Sequence, residues 1–123
     1  MDLIEFINDN IDNHSCEFNQ KVARVLLSFI MDGNLVLPMV DPEILYNNVY
    51  KVYKNLRVKT TNMRKSLRCL VFQTAQQIQI TEGCVVSRAT DMLMRAATTQ
   101  ERSGYKTLAD QVNQIIKRDS VVV

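Results

Sequence analysis

The side chains able to attack a substrate or hold a metal are few and scattered. His14 is the single histidine, so any thiol–imidazole pair must join it to Cys16, Cys69 or Cys84. None of these cysteines sits in a recognisable motif that lowers a thiol pKa. Cys69 and Cys84 fall on apolar stretches and are expected in the core. His14-x-Cys16 with two distant cysteines is a poor zinc set, because zinc sites bring their ligands in closely spaced pairs. Phosphate-cradling loops need clustered glycines, and Gly33, Gly83 and Gly104 stand apart. The acids of the first third fall in helix caps and first turns, where the helix dipole accounts for them. The expectation is a chain that is not an enzyme and carries no cofactor and no metal.

What remains is charge, and it is segregated. Residues 1–43 hold eight acids against two bases, Lys21 and Arg24. Residues 44–81 hold no acid and seven bases: Lys51, Lys54, Arg57, Lys59, Arg64, Lys65 and Arg68. Such a run creates a positive surface field unless the acidic third folds against it. Three outcomes are open: internal neutralisation or plain solvation, an acidic protein surface, or nucleic acid. Phosphate contacts are rewarded by counter-ion release, and Tyr46, Tyr50 and Tyr53 lie among the lysines, where bases could stack. Against nucleic acid, the net charge is only +2. No zinc finger, helix-turn-helix spacing or aromatic sheet signature is present, and tyrosines at helical spacing ordinarily pack.

A second feature is apolar. Leu35, Val36, Leu37, Met39 and Val40, with Pro38 among them, form a greasy connection where chains are usually wet. Either it straps the domain's own core or it docks a partner as an added strand or extended peptide. The tail Ser120-Val121-Val122-Val123 poses the same choice on a smaller scale.

The elements that must position these residues read as helices. A chain of 123 residues with 46% apolar content suits one domain over 1–123, and it has only three glycines and two prolines for turns. Leu3, Ile4, Ile7 and Ile11 recur at helical spacing behind a capping Asp2. A second helix follows Ser15 on Phe18, Val22, Val25, Leu26, Phe29 and Ile30, and Asp32-Gly33-Asn34 ends it. Asp41-Pro42-Glu43 opens a third, running to about Leu56. Thr60 or Thr61 caps a fourth on Met63, Leu67, Leu70, Val71, Thr74 and Ile78, and Thr81-Glu82-Gly83 breaks it. The fifth, about 84–98, is apolar on most sides, so it must sit centrally or be covered by a partner. Its polar face is Arg88, Asp91 and Arg95, with Asp91 and Arg95 one turn apart and able to pair. Residues 99–104 read as a turn before a sixth helix on Tyr105, Leu108, Val112, Ile115 and Ile116. The fold class is all-α, a compact bundle or array of about six short helices.

The longest apolar run, residues 35–40, is far short of the roughly 20 residues of a membrane span. An odd cysteine count and the absence of a basic-then-apolar leader point to a reducing compartment, cytoplasm or nucleus. The Asn/Asp/Ile-rich opening (Met1-Asp2-Leu3-Ile4-Glu5-Phe6-Ile7-Asn8-Asp9-Asn10-Ile11-Asp12-Asn13), the length and the valine-ended helical chain resemble the small baculovirus nucleocapsid proteins linked to nuclear actin. That resemblance implies a subunit of a virion complex active in capsid assembly and nuclear actin polymerisation. No residue role carries over with it. The residues themselves lead to a non-catalytic subunit that joins other proteins in a hetero-oligomer through segments 35–40 and 84–97 and the basic run. The alternative is a small nucleic-acid-binding protein using the same cations.

Overall fold

The structure, a computed structural model, describes residues 2–11, 16–32, 41–47 and 62–120, with the side chains of residues 119 and 120 excepted. It is all-helical: α1 (Leu3–Ile11), α2 (Glu17–Met31), α3 (Pro42–Leu45), α4 (Met63–Gln77), α5 (Gly83–Ala96) and α6 (Thr99–Ser120), with no strand among the described residues.

Side-chain caps explain four of the six helix starts among the described residues. The Asp2 carboxylate accepts from the Glu5 amide at 2.8 Å and opens α1. At α3 the Asp41 carboxylate accepts from the Glu43 amide at 2.9 Å, with Pro42 at the first position. The cap of α4 is Asn62 rather than Thr60 or Thr61; its side-chain oxygen accepts from the Lys65 amide at 2.9 Å. Asn62 satisfies an orphan amide as a threonine would, and the stripe alone did not choose between neighbours. Only the first turn of the third helix is described; 48–56 of its expected span lie outside the described residues.

Two boundaries differ from the sequence expectation. First, α4 stops at Gln77, ahead of the Thr81-Glu82-Gly83 breaker. Gln79 donates to the Gln76 carbonyl at 3.1 Å and Ile80 to the Ala75 carbonyl at 2.9 Å, the paired bonds of a Schellman motif. Gln79 takes the left-handed position (φ 64°) that glycine usually fills, and buried Ile80 closes the motif against the core. Gly83 instead lies inside the first turn of α5. Second, 99–104 is the start of α6. Thr98 and Glu101 form a reciprocal capping box, with Thr98 N to Glu101 Oε1 at 3.0 Å and Glu101 N to Thr98 Oγ1 at 3.2 Å.

One apolar cluster runs through the described helices. Helix α2 packs on α1, α4 and α5, while α4 packs on α5 and α6 and α3 docks on α6. Val22, Val25, Leu26, Phe29, Leu67, Val71, Val85, Val86 and Val112 are fully buried within it. The strongly apolar α5 sits centrally: Val85, Val86, Ala89, Met92 and Leu93 are enclosed by its neighbours, so its own fold covers it. Thr90, also buried, satisfies its hydroxyl on the Val86 carbonyl at 2.7 Å.

Not every expected stripe residue joins the core. Ile4 is 68% exposed, because α1 turns Leu3, Phe6, Ile7 and Asn10 inward instead. Phe18 is exposed at the start of α2. Cys84 is exposed and Cys69 is half-buried against the core. With α5 beginning at Gly83, Val85, Val86 and Ala89 define its inner side and Cys84 falls on the outer one.

Candidate interaction surfaces

Helices α4 and α5 run antiparallel across a short turn, and polar bonds cross the seam between them. Arg64 reaches Asp91 through Nη2 (2.8 Å) and Nε (3.1 Å) to Oδ1. One turn on, Arg68 Nε donates to Ser87 Oγ at 3.4 Å. The expected intrahelical pair of Asp91 with Arg95 does not form. Asp91 faces the seam between the helices, where the forked Arg64 guanidinium offers two donors to one oxygen.

This arrangement assembles a cationic face. On α5, Cys84, Arg88, Asp91 and Arg95 recur at i, i+4, i+7 and i+11 on the outer side, and α4 adds Arg64, Lys65 and the half-buried Arg68. Lys65, Arg88 and Arg95 are exposed and have no ion-pair partner among the described residues. Sequence reasoning named Arg64, Lys65 and Arg68 and assigned Arg88 and Arg95 to a separate polar face. The two sets come to lie on neighbouring helices because the turn at 78–82 folds α5 back along α4. Of the remaining expected basic residues, Lys51, Lys54, Arg57 and Lys59 lie outside the described residues, as do Tyr50 and Tyr53. Tyr46 is half-buried and packs against the core.

The acidic third does not pair with this face among the described residues. Its cross-chain bonds lie elsewhere. Glu43 in α3 binds Arg118 in the last turn of α6 through both oxygens, at 2.7 and 3.3 Å. Lys21 in α2 bridges Glu82 at 2.6 Å and Glu17 at 3.3 Å. The Glu82 carboxylate, and after it that of Glu17, raises the Lys21 pKa above its ordinary value, and Lys21 in turn holds Glu82 below the usual carboxylate range.

The exposed large apolar side chains all belong to α1–α3. Met31 is 76% exposed, Ile4 68% and Ile44 55%, with Leu27 less so. Leu27 and Met31 are one turn apart on the outer side of α2, and Met31 ends that helix just ahead of the connection. The connection residues themselves, Leu35, Val36, Leu37, Met39 and Val40, lie outside the described residues, as does the valine tail.

The remaining features offer little chemistry. An open depression of about 620 Å3 along α6 is lined by hydroxyl, amide and apolar groups, among them Ser103, Thr107, Leu108 and Gln111. Among the described residues no group of three or more His, Cys, Asp or Glu side chains could hold a metal ion. His14 lies outside them, and Cys16 is exposed at the start of α2. No described helix is long and apolar enough to cross a membrane. The chain matches no protein-family model, no curated protein and no solved structure.

Proposed function

We propose that this chain is a non-catalytic helical subunit of a multi-protein assembly. The observation that carries the reading is the exposure of Met31, Ile4 and Ile44 on the first three helices, while the apolar face of α5 is already spent inside. Single apolar side chains at a surface are ordinary. Here three large ones, each more than half exposed, lie on the first three helices, and Met31 and Ile44 bracket the greasy connection 35–40 in the sequence. A protein partner suits apolar side chains of this kind, and the sequence between Met31 and Ile44 supplies five more, Leu35, Val36, Leu37, Met39 and Val40. The resemblance of the chain's opening to small baculovirus nucleocapsid proteins supplies the setting: an intracellular, nuclear assembly that builds capsids and engages actin.

The test compares the wild-type chain with the triple variant Ile4→Ser, Met31→Ser, Ile44→Ser in affinity purification with mass spectrometry from the native cell. All three sites are exposed, so the variant is expected to keep its helical circular dichroism and melting temperature within a few degrees. The reading expects a partner protein recovered in fixed stoichiometry with the wild type and lost with the variant. Recovery of no stoichiometric protein, or of the same protein with both chains, overturns it.

A further inference from the structure

We propose that the α4–α5 face binds the phosphodiester backbone of double-stranded DNA without reading its sequence. The face is distinct from the exposed apolar side chains of α1–α3, so this inference stands or falls independently of the protein-docking one.

The first argument is charge. Arg64, Lys65, Arg68, Arg88 and Arg95 share the face with a single carboxylate, Asp91, and that carboxylate is committed to Arg64. The nearest other acid on these helices, Glu82, is held by Lys21 at 2.6 Å. Four of the five cations, all but Arg64, have no ion-pair partner among the described residues. Four of them are guanidiniums, whose planar fork matches phosphate oxygens in pairs.

The second argument is what the face lacks. Protein interfaces carry an apolar or aromatic centre within a polar rim, and surfaces that meet DNA are polar and positively charged. Every exposed large hydrophobic residue described lies on α1–α3, and none lies on α4 or α5. An acidic protein is thereby disfavoured as the occupant. No exposed aromatic side chain is present on the face on which unpaired bases could stack, which disfavours a single strand. The hydroxyl on the face, Ser87, is engaged by Arg68, so little remains to contact the 2′-hydroxyls by which duplex RNA is recognised.

The third argument is geometry. Arg64 and Arg68 are one turn apart, about 6 Å along α4, and Arg88 and Arg95 two turns apart, about 10 Å along α5. Arg64–Asp91 and Arg68–Ser87 bonds cross the seam between the two helices. Two rows of cations on neighbouring helices suit the succession of phosphates along a duplex.

The test is fluorescence anisotropy of a labelled random-sequence DNA duplex titrated with the full chain over a range of salt. Neutralising three or four phosphates predicts a log–log salt slope of about −3. The variant Lys65→Glu, Arg88→Glu, Arg95→Glu is expected to bind at least about tenfold more weakly, each lost contact flattening the slope by about one. The neutral set Lys65→Gln, Arg88→Gln, Arg95→Gln gives the same readout should charge reversal disturb folding. Lys106→Glu, at an exposed cation of α6 rather than of α4 or α5, is expected to leave binding unchanged. Three results overturn the proposal: no binding at low salt, equal affinity and slope for wild type and the Gln set, or displacement of the duplex by poly-glutamate at matched charge. Tighter binding to duplex RNA or single-stranded DNA than to duplex DNA overturns it too.

Discussion

Asp91 bonds not to Arg95, its neighbour one turn along the same helix, but to Arg64 on the helix opposite, at 2.8 Å. The pair ties the N-terminal half of α4 to the C-terminal half of α5 and leaves Arg95 uncompensated on the outer surface. Both partners are about half exposed, so the bond is worth less than about 1 kcal/mol to folding. Its larger consequence is electrostatic. Asp91→Asn removes the carboxylate from the cationic face, and duplex DNA affinity is expected to rise a few-fold at low salt with little change in thermal stability. Weaker binding in that variant would show that Asp91 serves to orient Arg64 for phosphate.

The capping box at the start of α6 supplies a stability prediction. Thr98→Ala removes the acceptor for the Glu101 amide and is expected to cost about 1 kcal/mol in urea unfolding. Glu101→Ala, which frees the Thr98 amide, should cost a similar amount. If both are silent, the first turn of α6 is held by packing alone.

Gln79 is a site of stored backbone cost. A side chain at φ 64° is disfavoured by about 1 kcal/mol or more relative to glycine. Part of that gain is returned through the freer unfolded chain. Gln79→Gly is therefore expected to raise stability by roughly 0.5 kcal/mol, seen as a higher urea midpoint at unchanged m-value. A drop in the midpoint would place another interaction at this residue.

Leu26 and Leu27 are adjacent and chemically identical, yet one is fully buried and the other 38% exposed. Leu26→Ala is expected to cost about 3 kcal/mol by leaving a cavity, and Leu27→Ala less than about 1 kcal/mol. Equal losses would mean that the outer face of α2 is covered in solution, and concentration-dependent melting would identify the cover as a second copy.

Tyr105 links stability to alkaline pH. Burial first, and then the Glu101 carboxylate, push its pKa up to about 12 from an ordinary value of 10.0. The folded chain thus keeps a proton that the unfolded chain gives up, so stability falls as pH rises from about 10 to about 12. The linked loss is at most on the order of 2 kcal/mol. Tyr105→Phe has no proton to lose. The drop in urea midpoint across that window should be smaller in the variant, and parallel profiles would remove Tyr105 from the account.

The internal chemistry of each helix was open to a reader of the sequence. Helical spacing gave α2, α4 and α5, and Asp2 and Asp41 announced helix starts, because capping and amphipathic periodicity involve residues within a turn or two of one another. The capping box at Thr98 and Glu101 was equally local and equally visible. The polar residues around Gly104 mask it, because they resemble a turn. The segregation of acid from base was also plain.

Relations between helices were not legible in this way. Spacing shows that a stripe is apolar but not how wide a strip its neighbours cover, so Ile4, Phe18 and Cys84 could not be told from core residues. Nor does a run of charges reveal what lies across the seam. The turn at 78–82 folds α5 antiparallel to α4, and that folding gives Asp91 to Arg64 and Ser87 to Arg68. Burial and charge pairing depend on distances between residues far apart in the chain, and only the packed tertiary structure sets those distances.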